Sequence, residues 1–129
     1  MNESDVKRAM VKSLMETGGY ARRIEDQYSV GTFDLIFMPL GLPVFMAEVK
    51  MIKGYTFGPT VRQLLELERV RTAAYNGGHA IPVMIGYKEG NYYFHEPKAS
   101  IDCRECFSVT SLDMSFNLQL VQYYVSRRK

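Results

Sequence analysis

Thr32-Phe33-Asp34-Leu35-Ile36-Phe37-Met38 and Val44-Phe45-Met46-Ala47-Glu48-Val49-Lys50 are two runs of strand-forming residues, joined by Pro39-Leu40-Gly41-Leu42-Pro43. β-Branched and aromatic side chains suit a pleated, packed surface. A short connection rich in proline and glycine between two such runs predicts a hairpin. Side chains alternate faces along a strand, so Glu48 and Lys50 share one side while Ala47 and Val49 share the other. Each run is otherwise almost purely apolar, so an acid in each is a departure that needs a reason. A carboxylate taken out of water is costly unless it is paired or bound to a metal. Hairpin strands can bring Asp34 and Glu48 to one point, and two hard oxygen ligands there suit Mg²⁺ or Mn²⁺. Lys50 adds a cation beside them. It can position or help deprotonate an attacking water, or offset charge growing on a phosphate. The plain alternative is a Glu-Lys pair at an exposed strand end, with a turn aspartate after Gly31. The apolar flanks and the lead-in Gly31-Thr32-Phe33-Asp34 argue against it.

Working outward toward the N-terminus, residues 20–26 are mixed in character and predict an edge strand. The adjacent Arg22 and Arg23 lie within it, and arginine forks match phosphate oxygens. Residues 3–17 predict a helix. Val6, Met10 and Leu14 recur every four residues as one apolar stripe, Asn2 and Asp5 suit a capping box, and Gly18-Gly19 supplies a stop.

Toward the C-terminus, residues 51–58 read as a glycine-bracketed surface loop, free to close over the site or touch nucleic acid through Lys53, Tyr55 and Phe57. Pro59 or Thr60 then opens a helix to about residue 75, with Val61, Leu64, Leu65, Leu67 and Val70 as a broad apolar face and Gln63 at its edge. Asn76-Gly77-Gly78 is the stop. Residues 80–87 predict a buried strand, 89–91 a tight turn, 92–95 a returning strand, 106–110 a short strand and 112–127 a last helix. The order α-β-β-β-α-β-β-(β)-α implies an α/β sandwich around a mixed sheet.

The chain of 129 residues suits a single domain, 1–129. Its apolar share of 47% and charged share of 23% fit a folded protein and exclude disorder. The net charge of +2 is too small to imply a nucleic-acid partner by itself, so that expectation must come from the site. Cys103 and Cys106 form a lone Cys-x-x-Cys with only His95 nearby. A structural zinc needs about four ligands, so they read as reduced cysteines. His79 and His95 show no ligand spacing with the carboxylates and read as structural. Residues 1–5 lack the basic start and apolar run of a signal peptide, and no apolar stretch is long enough to span a bilayer. The expectation is an intracellular protein, in the host cytoplasm if of phage origin.

Glu3, Gly18-Gly19, Arg22 or Arg23, Gly31, Asp34, Glu48, Lys50 and Gln63 follow one another along the chain. In that order they resemble the PD-(D/E)xK nuclease superfamily, and more narrowly the stand-alone VRR-NUC nucleases of phages and bacteria. The resemblance covers residues 1–95; residues 96–129 form an extension without a counterpart in it. It implies a restriction-endonuclease-like αβββαβ core, its mixed central sheet flanked by helices, plus a C-terminal β/α extension. It also implies Asp34, Glu48, Lys50, Gln63 and Glu3 as catalytic residues, with Asp34, Glu48 and Glu3 holding Mg²⁺ or Mn²⁺. Gln63 would hold Lys50 or a water on the metal, and Arg22, Arg23 and Lys53 would contact nucleic acid. Phe33 stands where the family usually has proline, and Pro59-Thr60 is close to the usual opening of the second helix. Glu16 is the fallback should Glu3, near a fraying chain end, not serve.

The resemblance implies an endonuclease for DNA, acting on duplex or branched forms such as four-way junctions, as a homodimer. Phe116, Leu120 and Tyr124, with Leu112 one turn earlier, form a stripe that could bury against a second copy or against the chain's own core. Two other readings remain: a silent nucleic-acid-binding or assembly module on the same fold, and a nuclease acting on RNA or nucleic-acid ends.

Overall fold

Asn2 opens the first helix. Its side chain accepts from Asp5 N–H (2.8 Å), and Asp5 Oδ2 accepts from Asn2 N–H (3.1 Å), satisfying two of the free donors of the first turn. Helix α1 runs Glu3–Glu16, with Thr17 as its cap and Gly18 at φ +88°. The computed structural model describes residues 2–24, 34–39, 41–75, 80–110, 119, 122 and 123. Gly31, Thr32, Phe33, the 76–79 turn with His79, and most of the expected last helix lie outside the described residues. So do Leu112, Phe116, Leu120 and Tyr124. Gln119, Gln122 and Tyr123 are helical.

Strands β1 (Tyr20–Arg23), β2 (Leu35–Met38) and β3 (Val44–Met51) form an antiparallel meander. Gly41, at φ +79°, turns the chain between β2 and β3 in a conformation that L side chains rarely adopt. Helix α2 (Val61–Tyr75) crosses over so that β5 (Ala80–Lys88) lies parallel to β3. Glu89 and Gly90, both at positive φ, turn the chain tightly into β6 (Asn91–His95), and β8 (Phe107–Val109) closes that edge. The result is a six-stranded mixed sheet, β1-β2-β3-β5-β6-β8.

The sheet divides two cores. Val6, Met10 and Leu14 of α1 pack with Leu35, Phe37, Phe45, Ala47, Val49, Val83 and Ile85 on one face. Leu67 of α2 packs with Met84, Ile52, Phe57 and Ile101 on the other, where Met46 joins them. Each fully buried Leu, Val or Met contributes about 1.5–3 kcal/mol. Because Met46 lies on the α2 face and residues alternate, Glu48 and Lys50 lie there too.

Two expectations change. Residues 51–58 are no free loop: β4 (Thr56–Phe57) pairs with β7 (Ile101–Asp102), Lys53 bridges to Thr56, and Ile52 and Phe57 are buried. Alternation and helical spacing carry no signal for a two-residue ladder that joins Thr56 to Asp102 and Phe57 to Ile101, far apart in the chain. Nor is the apolar face of α2 as broad as its sequence suggests. Val61 and Leu65 are 77% and 56% exposed, because the helix meets the sheet along the line of Leu67.

Candidate active site

Asp34 lies one residue before β2, whose first pair sets Leu35 opposite Ala47, the residue before Glu48. Asp34 N–H donates to Ala47 O (2.9 Å), holding the backbone there. The Asp34 and Glu48 carboxyls are close enough to act on each other. Asp34 Oδ2 accepts from Val49 N–H (2.9 Å), and Asp34 Oδ1 pairs with Lys7 Nζ (3.0 Å).

Glu48 has no exposed surface. Its Oε1 accepts from Gln63 Nε2 (2.9 Å), while its Oε2 is buried with no N–H or O–H donor on it. Burial pushes the Glu48 carboxyl far above the usual carboxylate range. The neighbouring Asp34 carboxyl pushes the same way, and Lys50 and Lys7 oppose the shift. A buried carboxyl oxygen without a donor, in a group that neighbours a second carboxyl, fits a divalent cation that both groups would ligate.

Gln63 is placed by its own helix start. Its N–H donates to Thr60 Oγ1 (3.2 Å) and its Oε1 accepts from Thr60 N–H (2.9 Å), a reciprocal cap. That leaves Nε2 pointing to Glu48, rather than to Lys50. The Thr60-x-x-Gln63 signature was readable in the sequence and gives this residue a second duty. Lys50 is half-buried on the Glu48 face, two residues on.

Glu3 does not reach the carboxylate pair directly: Lys7 stands between, 3.6 Å from Glu3 Oε1 and 3.0 Å from Asp34 Oδ1. Among the described residues, no three His, Cys, Asp or Glu side chains gather closely enough to hold a metal ion. Lys7 was missed because a lysine on an amphipathic helix reads as solvated surface. Glu16 is 64% exposed at the far end of α1, near Lys12. Arg22 and Arg23 part company. Arg22 pairs with Ile36 and is exposed on the carboxylate face, while Arg23 pairs with Leu35 on the face covered by α1. Lys53 is exposed just beyond β3. The Cys106 thiol is pushed up to about 12, first by burial and then by neighbouring Cys103, and Cys103 is itself buried; both are free thiols. His95 Nδ1 meets Glu96 O at 2.9 Å.

The order αβββαβ around a mixed sheet is that of the restriction-endonuclease-like fold. Among solved structures the chain is similar to Hjc, a Holliday junction resolvase from the archaeal hyperthermophile Archaeoglobus fulgidus. The alignment covers 78% of this chain and 83% of that one, with a TM-score of 0.51 and 19% identity. At that identity the likeness establishes a common fold. A VRR_NUC domain aligns over 62% of this chain and 81% of its own at 24% identity, with a TM-score of 0.47, and adds nothing to the fold assignment. No family model and no curated protein matches the chain. Among the described residues, no helix is long and apolar enough to cross a membrane.

Proposed function

We propose that this chain is a metal-dependent endonuclease that hydrolyses DNA phosphodiester bonds, selecting branched DNA such as four-way junctions. The observation that carries the reading is the buried Glu48 oxygen without a donor, in a carboxyl that neighbours Asp34 and lies two residues from Lys50. Asp34 and Glu48 would hold Mg²⁺ or Mn²⁺, with Glu3 able to join only if Lys7 moves aside. Such an ion supplies Lewis-acid polarisation of the phosphate and a water acidified toward neutral pH. Gln63 fixes the Glu48 rotamer. Lys50 brings a compact positive charge to the attacking water or to the phosphate as its charge grows. Arg22 lies on the carboxylate face, suited to a flanking phosphate; Lys53 beyond β3 would extend that contact, and Arg23 would reach nucleic acid only around the sheet edge. A two-fold dimer would set two such sites on two strands, which suits symmetric junction cutting.

A cleavage assay decides. Four-way junction, plain duplex, single-stranded DNA and RNA are each incubated with Mg²⁺, with Mn²⁺ and with excess chelator. Metal-dependent junction cutting that exceeds duplex cutting is the expected result. Full cleavage in chelator would sink the metal reading. RNA or end-specific cutting would move the substrate, and tight binding without cutting would make the chain a binding module.

A further inference from the structure

Lys7 reaches the carboxylates from α1 and has no part in the chemistry above. Both oxygens of Asp34 already have partners: Oδ2 takes Val49 N–H and Oδ1 takes Lys7 Nζ. The Val49 amide belongs to a central strand and cannot leave without breaking the ladder. Lys7 is different, a point charge on a flexible four-carbon stem. A second acceptor, Glu3, lies 3.6 Å away on the same helix, four residues back and nearer solvent, with 40% of its side chain exposed against 17% for Asp34. Lys7 thus sits between two acids, one facing the site and one facing out.

We propose that Lys7 is a displaceable counter-ion, holding the Asp34 side chain in place until a divalent cation binds and then swinging to Glu3. This rests on the reading of Asp34 and Glu48 as cation ligands. Lys7 and Asp34 are both largely buried, so solvent and salt screen their pairing weakly. Two cations sharing one carboxylate repel strongly in such a place. The incoming ion therefore competes with Lys7 for Asp34. Lys7 weakens cation binding and in exchange keeps the empty site from collapsing. Glu3 contributes by receiving Lys7, as a positioning residue in this step rather than a ligand.

Calorimetric titration of Mn²⁺ into the metal-free chain tests this, with wild type, Lys7→Met and Lys7→Arg side by side. Lys7→Met should bind Mn²⁺ about tenfold or more tightly, since a like charge is removed, whereas Lys7→Arg keeps the charge and should stay near wild type. A purely structural role would instead make Lys7→Met bind more weakly. A second measurement needs no neutral variant: the Lys7 Cε resonance, assigned by its loss in Lys7→Arg, is followed by ¹³C NMR as Mg²⁺ is added to wild type. It should shift on saturation. Unchanged or weaker Mn²⁺ binding by Lys7→Met, or a Lys7 resonance unmoved at saturation, overturns the inference while the metal site stands. A wild-type chain that takes up neither ion overturns both.

Discussion

A carboxyl group with no exposed surface, one oxygen on Gln63 and the other without a donor, keeps its place in the metal-free chain by giving up its charge. Its folded-state pKa lies above the ordinary value of 4.5, so above that pH the native state holds a proton that the unfolded chain has released. The stability this contributes is complete below the unfolded value and is lost as pH rises toward the folded one, at no more than about 1.4 kcal/mol per pH unit. In chelator, the melting temperature of wild type should therefore fall from pH 5 to pH 9 more steeply than that of Glu48→Gln, and added Mg²⁺ should flatten the wild-type curve alone. Parallel curves in chelator would mean that Glu48 is ionised without a metal. Lys50 plays a different part. Lys50→Ala should lower single-turnover cleavage by about 10²–10⁴-fold while junction binding changes little, because its charge acts as the reaction proceeds. A near wild-type rate would reduce Lys50 to a surface partner of Glu48.

The first turn of the second helix ties its cap to the candidate site. Thr60 caps α2 and in the same exchange fixes the Gln63 side chain that holds Glu48. Thr60→Ala should cost about 1 kcal/mol of stability and also slow cleavage, with Thr60→Ser restoring both. If the variant melts earlier yet cuts at full rate, the cap and the site are independent. Strand and helix starts such as this were legible because caps, turns and alternation are local. The wider apolar face of α2 and the free loop after β3 were misread because burial there depends on neighbours distant in the chain. Leu67 meets the sheet and Leu65 does not, and Phe57 is covered by the ladder to Ile101.

The stretch beyond residue 95 is built into the same two cores, through Val109 and Tyr123 on one side and Ile101 and Cys103 on the other. β8 pairs with β6, β7 with β4, and buried Tyr123 donates its hydroxyl to Pro82 O (3.0 Å) and packs by Phe45 and Phe107. A chain cut after His95 should thus lose cooperative unfolding in urea; a sharp transition would show an independent core. For assembly we expect a homodimer, and light scattering at micromolar concentration should give twice the chain mass of 14.8 kDa. A monomer that still cuts junctions symmetrically would show that the two sites are not paired beforehand.

By itself the sequence determined which residues are chemically out of place. Asp34 and Glu48 interrupt apolar strands, Lys50 shares the Glu48 face, and the α-β-β-β-α-β order follows from spacing and breakers. Those are properties of short windows, set by the two-residue period of a strand and the 3.6-residue period of a helix. Only the tertiary structure decided the partners: Lys7 on Asp34 across 27 residues, Gln63 on Glu48 across 15, and Glu3 held one ion pair away. Periodicity fixes the face a side chain takes. Strand register and the seating of two helices on opposite sides of the sheet fix what it meets there.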